Sequence, residues 1–272
     1  MTLPKIASQF VHKLFPTYLF ALGFAAALSI GEASAQASGK LASVDSRDGV
    51  KISYWWMPNP NATKTVLLLS GGEGGMGFKD GEPRSGNFLI RSRDYFYQND
   101  FNVVLLGNPS DKPRLDHAWR VSAQHAQDVS AVMESVRAKS NLPIWLIGTS
   151  NGTISATALG IALQDKVQGL VLTASVVTWK IPQAVPRQDV PKIKVPVLFY
   201  HHRDDACVGT LAYEVAGAAD RFVNVKPKKV WIVTGGQNAN GDPCQAFHWH
   251  GFVGMEKQAV DEISSWIKSP QP

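Results

Sequence analysis

Apolar, β-branched runs alternate with helical stretches along most of this chain, which predicts an α/β protein: a mostly parallel central sheet with helices on both faces. Composition agrees. The 272 residues are 44% hydrophobic and 18% charged, enough for one substantial core and unlike a disordered polymer or a disulfide-dense mini-protein. A third observation is local: seven glycines fall between Gly71 and Gly86, directly after a strand, as suits a loop whose backbone must come close to something.

In chain order, Lys51 to Met57 and Lys64 to Ser70 read as strands joined by a Pro58-Asn59-Pro60-Asn61 turn, so an antiparallel beginning is expected. After the glycine-rich loop come a helix near Asn87 to Gln98, a buried strand Asn102 to Leu106, a long amphipathic helix Trp119 to Lys139 and a buried strand Ile144 to Ile147. A helix Gly152 to Leu163 follows, then strands Gly169 to Thr173 and Val195 to Tyr200. A helix Gly209 to Ala219, a strand Lys229 to Val233 and a last helix Glu256 to Lys268 complete the pattern. Val176 to Lys194, with three prolines, is an excursion over the sheet's edge and too short for a separate lid. No interdomain linker is visible, so residues 36–272 are expected to form one domain.

The first 35 residues read as an address. Lys5 and Lys13 make a weakly basic start, Tyr18 to Ile30 is almost unbrokenly apolar, and Ala33-Ser34-Ala35 is a small-x-small cleavage pattern. The apolar run is shorter than the ~20 residues that span a bilayer, so cleavage before Gln36 is expected rather than a retained anchor. The product would be exported, periplasmic or secreted, with no membrane attachment. Its basic residues are scattered, none denser than Lys226-Pro227-Lys228-Lys229, and the full chain's net charge is only +5, which argues against a nucleic-acid partner.

Export decides how the two cysteines are read. In an oxidising compartment Cys207 and Cys244 are expected to pair, and closing a loop of about 38 residues contributes ~4 kcal/mol in the chain-entropy model.

The chemistry concentrates in Gly148-Thr149-Ser150-Asn151-Gly152, which joins an apolar strand to a helix of small residues. A nucleophile elbow needs glycine two before and two after its serine, because the sharp turn brings neighbouring backbones too close for a Cβ. Here the chain resembles the α/β-hydrolase superfamily, over nearly all of residues 36–272. That resemblance implies the α/β-hydrolase fold and a nucleophile, acid and base in that chain order. His201-His202-Arg203-Asp204-Asp205-Ala206-Cys207-Val208 is similar to the family's acid loop and implies Asp205 as the acid, with Asp204 one residue out of register. His250-Gly251-Phe252 before the terminal helix implies His250 as the base, with His248 as the alternative. The two oxyanion donors would be the main-chain N–H groups of Asn151, after the nucleophile, and of Gly72, in the loop after an early strand. The Cys207–Cys244 bridge would then tie the acid loop to the base loop.

Other readings fit less well. Gly72 to Gly77 matches G-x-G-x-x-G, but no helix opens after it and no acidic residue ends the next strand, as dinucleotide binding requires. The His and Asp residues between 201 and 250 lack helical metal-ligand spacing. No metal or cofactor is implied. A non-catalytic exported binding protein on the same fold is the alternative from a different class. The reading carried forward is an exported, carboxylesterase-like serine hydrolase acting on a small-molecule ester or thioester.

Overall fold

The structure is a computed structural model that describes residues 1–2 and 39–272. The expected signal peptide, residues 1–35, lies outside the described residues apart from its first two. Ten strands and seven α-helices are described: β1 (Lys40–Arg47), β2 (Val50–Met57), β3 (Lys64–Leu69), β4 (Phe78–Lys79), β5 (Glu82–Pro83), α1 (Phe88–Arg91), α2 (Arg93–Gln98), β6 (Phe101–Pro109), α3 (His117–Arg120), α4 (Ala123–Arg137), β7 (Ile144–Thr149), α5 (Asn151–Ala162), β8 (Gly169–Thr173), β9 (Val197–His202), α6 (Val215–Asp220), β10 (Lys228–Val233) and α7 (Glu256–Lys268).

Eight strands form one sheet in the order β1-β2-β6-β3-β7-β8-β9-β10, and β4 and β5 make a separate two-residue hairpin inside the glycine-rich loop. β2 is antiparallel to both of its neighbours; the other pairings in the large sheet are parallel. Side chains alternate between the two faces, as strand geometry requires. Leu67 and Leu69 of β3, Val104 and Leu106 of β6, and Ile144 and Leu146 of β7 pack with α4, α5 and α6. Val66 and Leu68, Val103 and Leu105, and Trp145 and Ile147 pack on the opposite face with α1, α2 and α7. This two-sided burial explains why the central strands read as continuous apolar runs rather than as polar–apolar alternation.

Several expectations change in detail. β2 and β3 do not pair, because β6 lies between them and the turn joining them crosses its start. There the Asn59 amide N–H bonds Asn102 Oδ1 at 2.8 Å, and Asn59 Nδ2 donates to the Tyr97 carbonyl at 2.6 Å. β1 has no strong sequence signal, since it is an edge strand whose eight residues are all at least partly exposed. The helix expected over Trp119 to Lys139 is two helices. Ser122 interrupts it in extended conformation and caps α4 by accepting from the His125 N–H. Likewise Ser92 divides the first helical region into α1 and α2. The Val176 to Lys194 excursion holds two short 3-10 turns and buries Val185, Val190 and Ile193 on the α5 side of the sheet.

Candidate active site

Ser150 occupies the turn between β7 and α5 with φ 52° and ψ −128°, a backbone region that costs a non-glycine residue energy. Its surroundings hold it there. The Ser150 N–H donates to the Thr173 carbonyl at 3.1 Å, and its own carbonyl accepts from the Thr153 N–H at 2.9 Å and hydroxyl at 2.6 Å. The flanking glycines are sterically required. A Cβ on Gly148 would lie 2.5 Å from the Gly152 carbonyl oxygen, and one on Gly152 would collide with the Leu69 carbonyl oxygen. The elbow is thus wedged against the end of β3, beside the glycine-rich loop.

β9 ends at His202, and the turn after it sends two neighbouring aspartates in opposite directions. Asp204 pairs with Arg203 on the surface at 3.0 Å. Asp205 is buried at 3% exposure and accepts from the Cys207 N–H at 3.0 Å and from the Thr210 hydroxyl at 2.8 Å. His250, in a 3-10 turn Trp249–Gly251, places Nδ1 3.0 Å from Asp205 Oδ2. That contact assigns the proton of neutral His250 to Nδ1 and leaves the Nε2 lone pair free. A Cβ on Gly251 would collide with the Ala246 carbonyl oxygen, and the buried Phe252 behind it takes a left-handed conformation while packing on Phe88 and Tyr200. These contacts fix the turn that carries His250.

The structure therefore brings Asp205 and His250 together and leaves Asp204 outside. His248 is half-buried, with its ring edge-on to Trp249. The remaining histidines of this region, His201 and His202, are held by structural contacts. His201 is fully buried, its Nε2 accepts from the Ser175 N–H at 3.0 Å, and burial lowers its pKa to about 4. His202 stacks on Trp249 and bonds the Asp204 N–H and the Gly235 carbonyl. Among the described residues, no group of three His, Cys, Asp or Glu side chains is placed to hold a metal.

Ser150 and His250 line one open cleft of about 570 Å³, together with Gly72, Glu73, Ser85 and Phe247. No hydrogen bond joins Ser150 and His250 in the structure. Gly72 has φ +55° and stands in open space, and Asn151 begins α5. Cys207 and Cys244 form a disulfide, with Cys244 on the cleft wall, so the bridge links the Asp205 loop to the segment leading into His250.

Two contributors have no signature in the sequence. Thr210 sits among ordinary loop residues, and only its contacts to Asp205 and His250 mark it. Arg91 reaches across 160 residues to donate to the Gly251 carbonyl at 2.6 Å, also holds the Gly86 carbonyl, and pairs with Glu256 at 3.0 Å. It thereby ties both walls of the cleft together.

No protein-family model and no curated protein matches the chain. Solved structures do match. An esterase from Pyrococcus furiosus superposes with a TM-score of 0.62 at 15% identity, covering 85% of this chain and 92% of its own. The dienelactone hydrolase from Anabaena variabilis gives 0.63 at 14% identity, with 85% and 97% covered. A lidless α/β serine hydrolase from Xanthomonas campestris gives 0.57 at 16% identity, with 84% and 96% covered. At such identities the likeness is one of fold. With its eight-stranded sheet, its single reversed strand and a strained serine turn at the end of a central strand, this chain has the α/β-hydrolase fold.

Proposed function

We propose that the chain is an exported serine hydrolase, carboxylesterase-like, that cleaves a small-molecule ester or thioester through Ser150, His250 and Asp205. The observation that carries this reading is the buried Asp205–His250 hydrogen bond at the wall of the cleft that Ser150 enters from its strained turn. A carboxylate fixed by two other donors, the Cys207 N–H and the Thr210 hydroxyl, can orient the imidazole and stabilise its charged form without moving.

In this mechanism Ser150 Oγ attacks the substrate carbonyl carbon while His250 Nε2 takes the hydroxyl proton. The carbonyl oxygen becomes an oxyanion held by the Gly72 and Asn151 N–H groups. Collapse of the tetrahedral species breaks the bond to the alcohol or thiol, which leaves with the proton from His250. Water, activated by His250, then releases the acid and restores Ser150. The open, glycine-lined cleft supports a substrate that docks from the surface rather than through a deep tunnel. Export rests on the N-terminal pattern and agrees with the disulfide. Among the described residues no helix is long and apolar enough to cross a membrane.

Intact-mass measurement after exposure to a fluorophosphonate probe tests the reading. A single adduct, lost in Ser150→Ala, is the expected result. No adduct on folded protein would overturn it in favour of a non-catalytic binding protein.

A further inference from the structure

Arg120, at the end of α3, is 1% exposed, yet its hydrogen-bond partners among the described residues are all neutral. Nη1 donates to Ser155 Oγ at 3.0 Å and Nη2 to the Gly72 carbonyl at 3.1 Å, while Nε has no partner. A buried cation with no hydrogen-bonded carboxylate costs stability, and burial lowers the Arg120 pKa to about 10 against the opposing charge of Asp116, still charged at neutral pH. What the guanidinium adds is a rigid fork between two elements. Ser155 lies one turn into α5, the helix that begins with Asn151, and Gly72 lies in the glycine-rich loop. The fork thus joins the two elements that carry the proposed oxyanion donors.

The Gly72 carbonyl has a second anchor, Asn151 Nδ2 at 3.1 Å, and Asn151 Oδ1 in turn bonds His117 Nε2 at 3.1 Å. On the other side of Gly72, the Gly71 carbonyl accepts from the Gly74 N–H at 3.0 Å. These anchors matter because Gly72 is left-handed and a Cβ there would meet nothing within 4 Å, so its peptides could rotate at little steric cost.

We propose that Arg120 is a positioning residue for the oxyanion site: with Asn151 it clamps the Gly72 carbonyl, and with the Gly71 carbonyl held by the Gly74 N–H on the other side this fixes both peptides flanking Gly72, and so the direction of the Gly72 N–H and its distance to the Asn151 N–H. This inference rests on the serine hydrolase reading. Arg120 does not line the cleft that Ser150 and His250 share; it acts through Gly72.

The test compares wild type with Arg120→Met, Arg120→Lys and Asn151→Ala, using p-nitrophenyl acetate as the ester and a fluorophosphonate to count reactive serines. In Arg120→Met, kcat per titrated serine should fall at least about tenfold with KM within about threefold, the pattern of a lost transition-state contact. Arg120→Lys keeps the charge but not the fork and should fall nearly as far. The Met and Ala changes combined should cost less than the product of their separate effects, since both act on one carbonyl. Should Arg120→Met fail to fold, the lysine and Asn151→Ala variants carry the test. Unchanged kcat per titrated serine in Arg120→Lys and Asn151→Ala, with only a lower Tm, would overturn the inference and leave Arg120 a packing residue. Wild-type protein that neither labels nor turns over ester would be a different failure, removing the hydrolase reading and this inference with it.

Discussion

Thr210 Oγ1 donates a 2.8 Å hydrogen bond to Asp205 Oδ2, the same carboxylate oxygen that receives His250 Nδ1 at 3.0 Å. Thr210 thereby fixes which oxygen faces the imidazole. Thr210→Val keeps the volume and removes the donor, and kcat/KM should fall about tenfold, the usual scale for misplacing a supporting hydrogen bond. Thr210→Ser should retain most of the activity. Steady-state kinetics on the two variants checks this, and equal rates for Val and wild type would remove Thr210 from the site.

Glycines near the elbow should differ sharply in their tolerance of a methyl group. Gly152→Ala drives a Cβ into the Leu69 backbone, which cannot yield, and should cost roughly 3 kcal/mol or more together with loss of serine labelling. Gly217, exposed in α6 with nothing within 4 Å of its Cβ position, should gain about 0.5–1 kcal/mol on change to alanine. Urea denaturation of both variants measures the contrast.

Two buried histidines make stability fall in acid. Burial lowers His201 to about 4 and His125 to about 3 from an ordinary value of 6.5, with the charge of Arg120 adding to the effect at His125. Between those values the unfolded chain binds protons that the folded one does not, so stability rises with pH there. The contribution is complete above about pH 6.5 and is lost progressively as pH falls toward 4 and then 3. Neither His125 ring nitrogen has a hydrogen-bond partner among the described residues, so His125→Leu breaks no bond. Its urea midpoint should drop less than that of wild type between pH 7 and pH 5.

The disulfide should support activity as well as stability. Replacing Cys207 and Cys244 with serine should cost about 2–4 kcal/mol. It should also lower kcat more than it raises KM, because the Cys207 N–H holds Asp205 Oδ1. Thermal unfolding and kinetics of the double variant, with wild type in reductant beside it, check both effects.

Local chemistry makes much of this protein legible in its sequence alone. The strand, Gly148-Thr149-Ser150-Asn151-Gly152 and the helix after it are contiguous, so steric demands confined to one turn are written in adjacent residues. The apolar runs of β3, β6, β7 and β8 are equally direct, since a strand buried on both faces has few polar positions. Tertiary structure decided everything that depends on contacts between distant segments. The insertion of β6 between β2 and β3 follows from the crossover through α1 and α2, which no dipeptide at the turn encodes. The choice between Asp204 and Asp205 as the partner of His250 turned on where β9 ends and which way the following turn points, a matter of one residue. Thr210, Arg91 and Arg120 are ordinary residue types in sequence, and they acquire roles only because folding sets them against carboxylates and carbonyls 5 to 160 positions away. A hydrogen bond needs its partner within about 3 Å, and sequence order alone does not contain that distance.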